Sequence, residues 1–453
     1  MKKILLCLFL IVELSGCHIY KAYERPDVAV TDSLYRQPVQ PTDTASLASL
    51  SWRELFTDPQ LQQLIETGLR NNTDLNIARL KVKEAEALLM TSRLSYLPSL
   101  SLTPQGNLTS VDGSKASKTY NLAASADWEI DLFGKLLNAK RGAQASLEQS
   151  EAYRQAVQTQ LVATIANSYY SLLMLDRQLD ITRRTAESWD ESVRAMKALK
   201  LAGQATEMAV AQTEASKLSV DASILSIERQ INEMENSLST LLGLTPQEVK
   251  RSTLEAQQFP DSLATGVPLQ LLSRRPDVRQ CEAQLAVAYY VTNSARSAFY
   301  PSITLSGSAG WTNAAGAVVT NPGQWLLSAV GSLVQPLFNR GKNIANLKIA
   351  KAQQEEALLT FNQSLLDAGA EVNDALVQWQ TARQRIQLDK QQTEALRSAL
   401  RSSELLMQHS SQNYLEVLTA RQSLLQAELD MTTDRFDEIQ GVINLYHALG
   451  GGY

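Results

Sequence analysis

Few residues in this chain could carry covalent or metal chemistry. The histidines are His18, His409 and His447, spaced too widely for a shared metal ion, and His447 reads as an ordinary structural residue. No glycine-rich phosphate loop is present and no histidine is placed to activate a cysteine. Gly450, Gly451 and Gly452 close the sequence and do not read as a nucleotide site. No metal and no cofactor are implied, and the pattern is not that of an enzyme. Two kinds of chemistry remain. Cys17 offers a thiol at the end of a secretory signal. Asp127, Glu129 and Asp131 recur at a spacing of two, which on a strand gives one negatively charged face. Such a face attracts cations; the plainer reading is a wet surface that tolerates acids.

The thiol is the more specific of the two. Lys2 and Lys3 precede an apolar run from Ile4 to Val12, followed by Leu14, Ser15, Gly16 and Cys17. The cysteine at the cut resembles a bacterial lipoprotein box, which implies a signal peptide over 1–16, cleavage before Cys17 and acylation of that residue. Everything after it is then exported and tethered to a membrane. His18 follows where an aspartate can retain lipoproteins in the inner membrane, in agreement with an outer-membrane destination.

The bulk numbers narrow the rest. A chain of 453 residues suffices for two or more ordinary domains. Of its three cysteines, Cys7 leaves with the signal and Cys17 is spent on lipid. Cys281 is then alone, so no intramolecular disulfide forms despite an oxidising destination. The net charge of −5 is mild and does not suggest nucleic acid, which favours a basic surface. No apolar run reaches the ~18 residues of a membrane helix. A membrane could be crossed only by strands.

What positions these residues is a repeated plan. NNTDL at 71–75 opens a helical stretch that ends in RLSYLPSLSL at 93–102. RRPDV at 274–278 opens another that ends in RSAFYPSITL at 296–305. Asp74 to Pro98 and Asp277 to Pro301 are both 24 residues. DLFGK at 131–135 then matches PLFNRGK at 336–342. Shared spacing over such distances implies a duplicated architecture. Long stretches without Gly or Pro follow, at 143–202, 204–242 and 370–440, rich in good helix formers. Ile165, Leu172 and Leu179 recur every seven residues, with Leu161, Ser168 and Leu175 as a second seam, which is coiled-coil spacing. A helix over 136–200 would be roughly 100 Å long, wider than any compact core, so it must project or line something long.

Strand patterns follow the two prolines. Leu100, Leu102 and Leu108 alternate with polar residues over 99–109, and Tyr120, Leu122, Ala124, Ala126, Trp128, Ile130 and Leu132 do so over 119–132. Ile303, Leu305, Ala309 and Trp311 repeat the pattern over 302–312, and a less regular strand spans 324–337. Segments 110–118 and 313–323 read as loops. Strands of this length suit either a soluble sandwich or a tilted membrane strand. Tyr96, Trp128, Phe133, Phe299, Tyr300 and Phe338 gather toward one end, with Tyr120, Trp311 and Trp325 toward the other, as in two interfacial girdles. Four strands cannot close a membrane barrel, whose smallest examples have about eight. A barrel would need several chains.

Four motifs carry a resemblance across nearly all of the mature chain: WRELFTDPQL at 52–61, WEIDLFG at 128–134, LLSRRPDV at 271–278 and LYHALGGG at 445–452. The sequence is identified by them as a member of the TolC-like outer-membrane efflux channels, lipoprotein branch. That resemblance implies a mainly α fold with transmembrane β strands. Three chains would give four strands each to one twelve-stranded barrel, above a long coiled-coil periplasmic tunnel. The expected layout is a lipidated segment at 17–60, a first repeat at 61–268 and a second at 269–453. The helices would span about 136–200, 204–242, 342–408 and 412–449, with a mixed equatorial region near 244–268 and at the chain ends. It further implies a homotrimer, a periplasmic adaptor and an inner-membrane transporter of the resistance–nodulation–division type. The function implied is a passive exit duct for drugs or other small molecules.

Site residues follow from the same resemblance. Adaptor-contact turns fall near Gly203 and Ser410, where Ser410 replaces a glycine common in this turn. Related channels often close this end with a ring of Leu and, four residues on, a ring of Asp. By that spacing Leu415 is the apolar constriction, Thr419 occupies the acidic position, and Glu416, one turn from Thr419, supplies a cation-attracting ring instead. The other reading of Glu416 is a solvated helix residue. Asp127, Glu129 and Asp131 would face the lumen near the periplasmic mouth. The competing reading of the whole chain is a surface-anchored coiled-coil scaffold or adhesion lipoprotein with a small soluble strand domain.

Overall fold

A computed structural model describes residues 20–26, 50–259, 275–312, 324–409 and 414–451. The signal peptide, Cys17, the segment 313–323 and Ser410 lie outside the described residues. The elements are α1 (Trp52–Leu55), α2 (Pro59–Asn71), α3 (Thr73–Leu94), β1 (Ser99–Thr109), β2 (Ser117–Ile130), α4 (Lys135–Leu201), α5 (Glu207–Leu241), α6 (Pro276–Ser297), β3 (Ser302–Thr312), β4 (Gln324–Val334), α7 (Lys342–His409) and α8 (Tyr414–Ala448). The duplication shows in their lengths. The helices α3 and α6 have 22 residues each, β1 and β3 have 11, α4 and α7 have 67 and 68, and α5 and α8 have 35.

Two strand ends differ from expectation. Strand β2 ends at Ile130 rather than 132, because Leu132 N folds back to donate to Ile130 O (3.1 Å) and the chain leaves the ladder. Strand β4 ends at Val334 rather than 337; Pro336, just beyond, has no N–H to continue the pairing.

The chain forms two compact units, and each draws on both halves of the sequence. One comprises Ala29–Arg79, Tyr153–Val278 and Ser364–Tyr453. Its core joins Trp52, Phe56, Leu61 and Ile65 to Ile165, Leu172, Leu238, Val372, Ile439 and Ile443. The seam expected from the seven-residue spacing is buried at Leu161, Ile165, Leu172, Leu175 and Leu179. Each such side chain contributes about 1.5–3 kcal/mol by leaving water. Asp58 pins the start of this unit. It caps α2 by accepting from Gln60 N (2.9 Å), and its other oxygen accepts from Tyr169 Oη (2.6 Å), Gln257 Nε2 (3.0 Å) and Ser252 Oγ.

The repeat also explains two motifs. Asn72 stands two residues before Asp74, as Arg275 stands two before Asp277. Asn72 Nδ2 donates to the carbonyl of Leu241, the last residue of α5 (2.9 Å), and Arg275 Nη1 donates to that of Ala448, the last residue of α8 (2.9 Å). In both halves the start of the 22-residue helix, α3 or α6, is thus tied to the end of the last helix. Beyond each tie a glycine turns with positive φ, Gly243 at 68° and Gly450 at 82°. A side chain on Gly243 would meet the Asn71 carbonyl at 3.0 Å, and one on Gly450 would meet the Arg275 backbone at 3.3 Å.

The second unit, Met1–Val28, Leu80–Ala152 and Arg279–Gln363, holds an antiparallel sheet in the order β1-β2-β3-β4. The register aligns Leu100 with Ala126, Leu122 with Trp311, Trp128 with Leu305 and Ala309 with Leu327. One face is therefore apolar on all four strands. The opposite face aligns Ser101 with Ser125, Asp127 with Ser306 and Ser308 with Ser328. Leu100 is 81% exposed and Leu327 84%, so a single chain leaves the apolar face uncovered. Strands β1 and β4 each keep one unpaired edge in this sheet.

Candidate functional site

The α4–α5 turn is built by Gly203. Helix α4 ends at Leu201, and Gly203 takes φ 72°, a conformation costly for a side-chain-bearing residue. Gly203 N then donates to Lys200 O (2.9 Å) and Gln204 N to Leu199 O (2.8 Å), which closes the helix with a left-handed cap. Thr206 starts α5 by accepting from Ala209 N (3.2 Å).

Helix α8 begins at Tyr414, and its first turns are two-sided. Leu415, Glu416 and Thr419 are exposed, while Val417 and Leu418 are buried. The structure thus places the three residues singled out from the sequence on one exposed face, with Thr419 Oγ1 donating to Leu415 O (2.9 Å). Leu418 packs with Ala186, Trp189 and Val220 on the other side. Sequence reasoning missed Arg421. Its guanidinium donates to Ser188 O (2.6 Å) and Ser192 Oγ on α4 and to Glu404 on α7 (2.7 Å). It ties three helices together six residues from Leu415; nothing in a lone arginine distinguishes such a tie from a solvated charge.

The three strand carboxylates do not act alike. Asp127 lies on the polar face of β2, is exposed, and accepts from Ser306 Oγ (2.6 Å). Glu129 shares that face but pairs with Lys135 (2.7 Å), so its charge is largely compensated. Asp131 is not on the strand at all. Having left the ladder, it accepts from Leu137 N (2.7 Å) in the first turn of α4, where a carboxylate is favoured by free N–H groups. This corrects its reading as a member of the charged strand face.

Aromatic side chains mark both ends of the sheet. Phe133 stacks on Tyr300 with centroids 5.1 Å apart, and Trp128 Nε1 donates to Tyr96 O (2.9 Å). At the far end Trp311 packs on Trp325 at 4.7 Å. The sequence reading also missed how residues 20–26 attach within this unit. Tyr20 packs over Gly134, Tyr23 N donates to Tyr290 Oη (3.1 Å), Tyr289 Oη donates to Lys21 O (3.2 Å), and Arg25 pairs with Glu282. The Tyr289–Tyr290 pair was the available signal.

His447 is half-buried, and loss of solvent first, then Arg275, push its imidazole toward the neutral form; it belongs to the joint at the end of α8. Among the described residues no group of three or more His, Cys, Asp or Glu is placed to hold a metal, and no helix is long and apolar enough to cross a membrane.

Known proteins share this arrangement. The family described as outer membrane efflux protein matches residues 64–244 and again 267–451. The chain is 30% identical over 463 residues to a Salmonella typhimurium protein named "Probable outer membrane lipoprotein SilC", covering 99% of this chain and 98% of that one. It is 30% identical over 456 residues to the toluene efflux pump outer membrane protein TtgC of Pseudomonas putida, covering 97% and 93%. The fold is similar to the open-state crystal structure of the Neisseria gonorrhoeae MtrE outer membrane channel, with TM-score 0.86, 28% identity and coverage of 96% and 98%.

Proposed function

Because this chain belongs to the outer membrane efflux protein family and is an outer-membrane component of an efflux system, we propose that three copies form one gated, passive duct. The observation that carries this is the two-faced sheet with an unpaired edge at β1 and at β4. An apolar face on every strand needs lipid, and an open edge in lipid needs a partner strand. Pairing β4 of one copy with β1 of the next answers both needs, and three copies give twelve strands. The polar face then lines the lumen, with Asp127 held by the hydroxyl of Ser306 and Glu129 offset by Lys135.

The tip closes the duct. Leu415 gives the apolar constriction, Glu416 a carboxylate ring that draws cations, and Thr419 a neutral position where a second acidic ring would stand. The turns at Gly203 and Ser410 face a periplasmic adaptor, which joins the duct to an inner-membrane transporter of the resistance–nodulation–division type. Cys17 carries the lipid. Tyr20 docks beside Gly134, and three residues of extended chain reach at most ~10 Å, so the acyl chains enter lipid beside Phe133 and Tyr300. No covalent step is assigned to the chain. Membership of this family sets aside the anchored-scaffold reading.

The test is reconstitution of the purified mature protein in planar bilayers. Small, mostly closed events from a heat-modifiable trimer are expected. A verified, inserted oligomer that never conducts would overturn the duct.

A further inference from the structure

Polar bonds lace α7 to α8. Arg397 donates to Glu428 (2.7 Å), Gln378 Nε2 to Gln440 (2.9 Å) and Asn444 Nδ2 to Gln378 (3.0 Å). Within this seam sits a contact of a different kind. Asp434 of α8 has no exposed surface, and Asp389 of α7 lies within hydrogen-bond reach of it. Both carboxylate oxygens of Asp434 and Oδ2 of Asp389 are buried and receive no hydrogen bond. Arg385, one turn before Asp389, brings Nη2 to 2.9 Å from Asp434 Oδ1 but not into hydrogen-bond alignment. Two ionised carboxylates have acceptors only. Asp434, wholly buried, is thus left without the aligned donor that burial demands, and the half-buried Asp389 turns one unbonded oxygen into the same seam. A single proton supplies that donor, as it does wherever two carboxyls are forced together.

We propose that Asp389 and Asp434 share one proton, and that this proton is a pH-sensitive clasp between α7 and α8. With the proton present, the pair forms a hydrogen bond across the seam. With it lost, that hydrogen bond is gone and the repulsion of two like charges offsets the pull of Arg385 across the seam. The surroundings set the balance. Burial, then the hydrogen bond to Asp389, push Asp434 up to about 7 against the opposing charge of Arg385, and Asp437 on α8 adds to the rise. Burial raises Asp437 as well, again opposed by Arg385. Helix α4 meets this stretch through a neutral contact, Gln178 Nε2 donating to Thr433 Oγ1 (3.1 Å). A carboxyl with a raised folded value stabilises fully below the ordinary value near ~4 and loses that contribution as pH rises through about 7. The clasp is therefore closed in acid and loosened above neutrality.

The clasp acts on the helix pair itself, so amide hydrogen exchange reads it without any pore current. The full-length oligomer is compared at about pH 5.5 and about pH 8.5, corrected for intrinsic exchange, over peptides covering 380–392 and 428–440. Protection there is expected to fall by about tenfold or more at the higher pH, with 161–175 as an unaffected control. Asp389→Asn replaces the shared proton with a permanent amide donor and should hold the acid-like protection at both pH values. Asp434→Asn does so from the other side and serves if the first variant does not assemble. Equal protection of the native protein at both pH values, or a pH dependence that survives in the asparagine variants, overturns the clasp.

Discussion

Replacing Arg275 with Met tests the joint that closes the second half. Arg275 is 2% exposed. It donates to Asp277 through two bonds (3.0 and 2.6 Å), to Glu371 (2.6 Å) and to the carbonyl of Ala448 (2.9 Å). The two carboxylates are 47% and 51% exposed as side chains, so water recovers much of their loss, and each pair is worth about 0.5–1 kcal/mol. The Ala448 carbonyl is buried at the end of α8, and leaving it without a donor costs about 1–3 kcal/mol. Met restores most of the volume, so a large cavity term does not enter. The sum is a loss of about 2–5 kcal/mol, concentrated where α8 ends. Hydrogen exchange over 441–451 should rise, and the oligomer should dissociate at a lower temperature on a heated gel. Arg275→Lys keeps the charge but not the planar fork, so it should fall between the two. Unchanged exchange over 441–451 with Met at this position would refute the reasoning, since the carbonyl would then have found another donor.

Further outcomes can be checked separately. The Leu415→Ala, Glu416→Ala double variant should give larger bilayer openings than the parent, and openings of unchanged size would move the gate away from this turn. Arg421→Ala releases the start of α8 from Ser188, Ser192 and Glu404; exchange over 414–424 should rise together with open probability, and a rise in neither would count against the tie. Burial raises the carboxyl of Asp58, but bonds from Ser252, Tyr169, Gln60 N and Gln257 outweigh it and hold the group below the ordinary carboxylate value. Its contribution is then present above about pH 4 and lost as pH falls through the depressed value. In acid titration followed by tryptophan fluorescence, Asp58→Asn should lower the plateau near neutrality while narrowing its gap to the native protein at the acid end.

The long elements were legible because their signals are summed over many residues. Runs without Gly or Pro marked α4, α5 and α7, and period-two alternation marked β1 and β3. The fourth strand was harder, since Leu326, Val330 and Val334 sit on the otherwise polar face. Asp131 shows a limit of periodicity. It continues the pattern of Asp127 and Glu129 in sequence, but a helix terminus with free N–H groups captures it one residue past the strand. Asn72 and Arg275 show another, because a neutral amide and a guanidinium share no composition signal although they serve the same carbonyl position. Asp434 could not be found at all. One aspartate in a polar helix looks solvated until the neighbouring helix is known to cover that face.

The two joints have a consequence for how such a chain changes over generations. A duplicated gene begins with interchangeable halves. Here the first half closes on an uncharged amide at Asn72 and the second on a buried cation at Arg275 that has recruited Asp277 and Glu371. A substitution tolerated at one joint therefore carries no licence for the other. A chimera made by joining two first halves would keep every helix length and still lack the partners its second closure requires. The ancestral symmetry survives in the backbone while the side chains have committed each half to its own place.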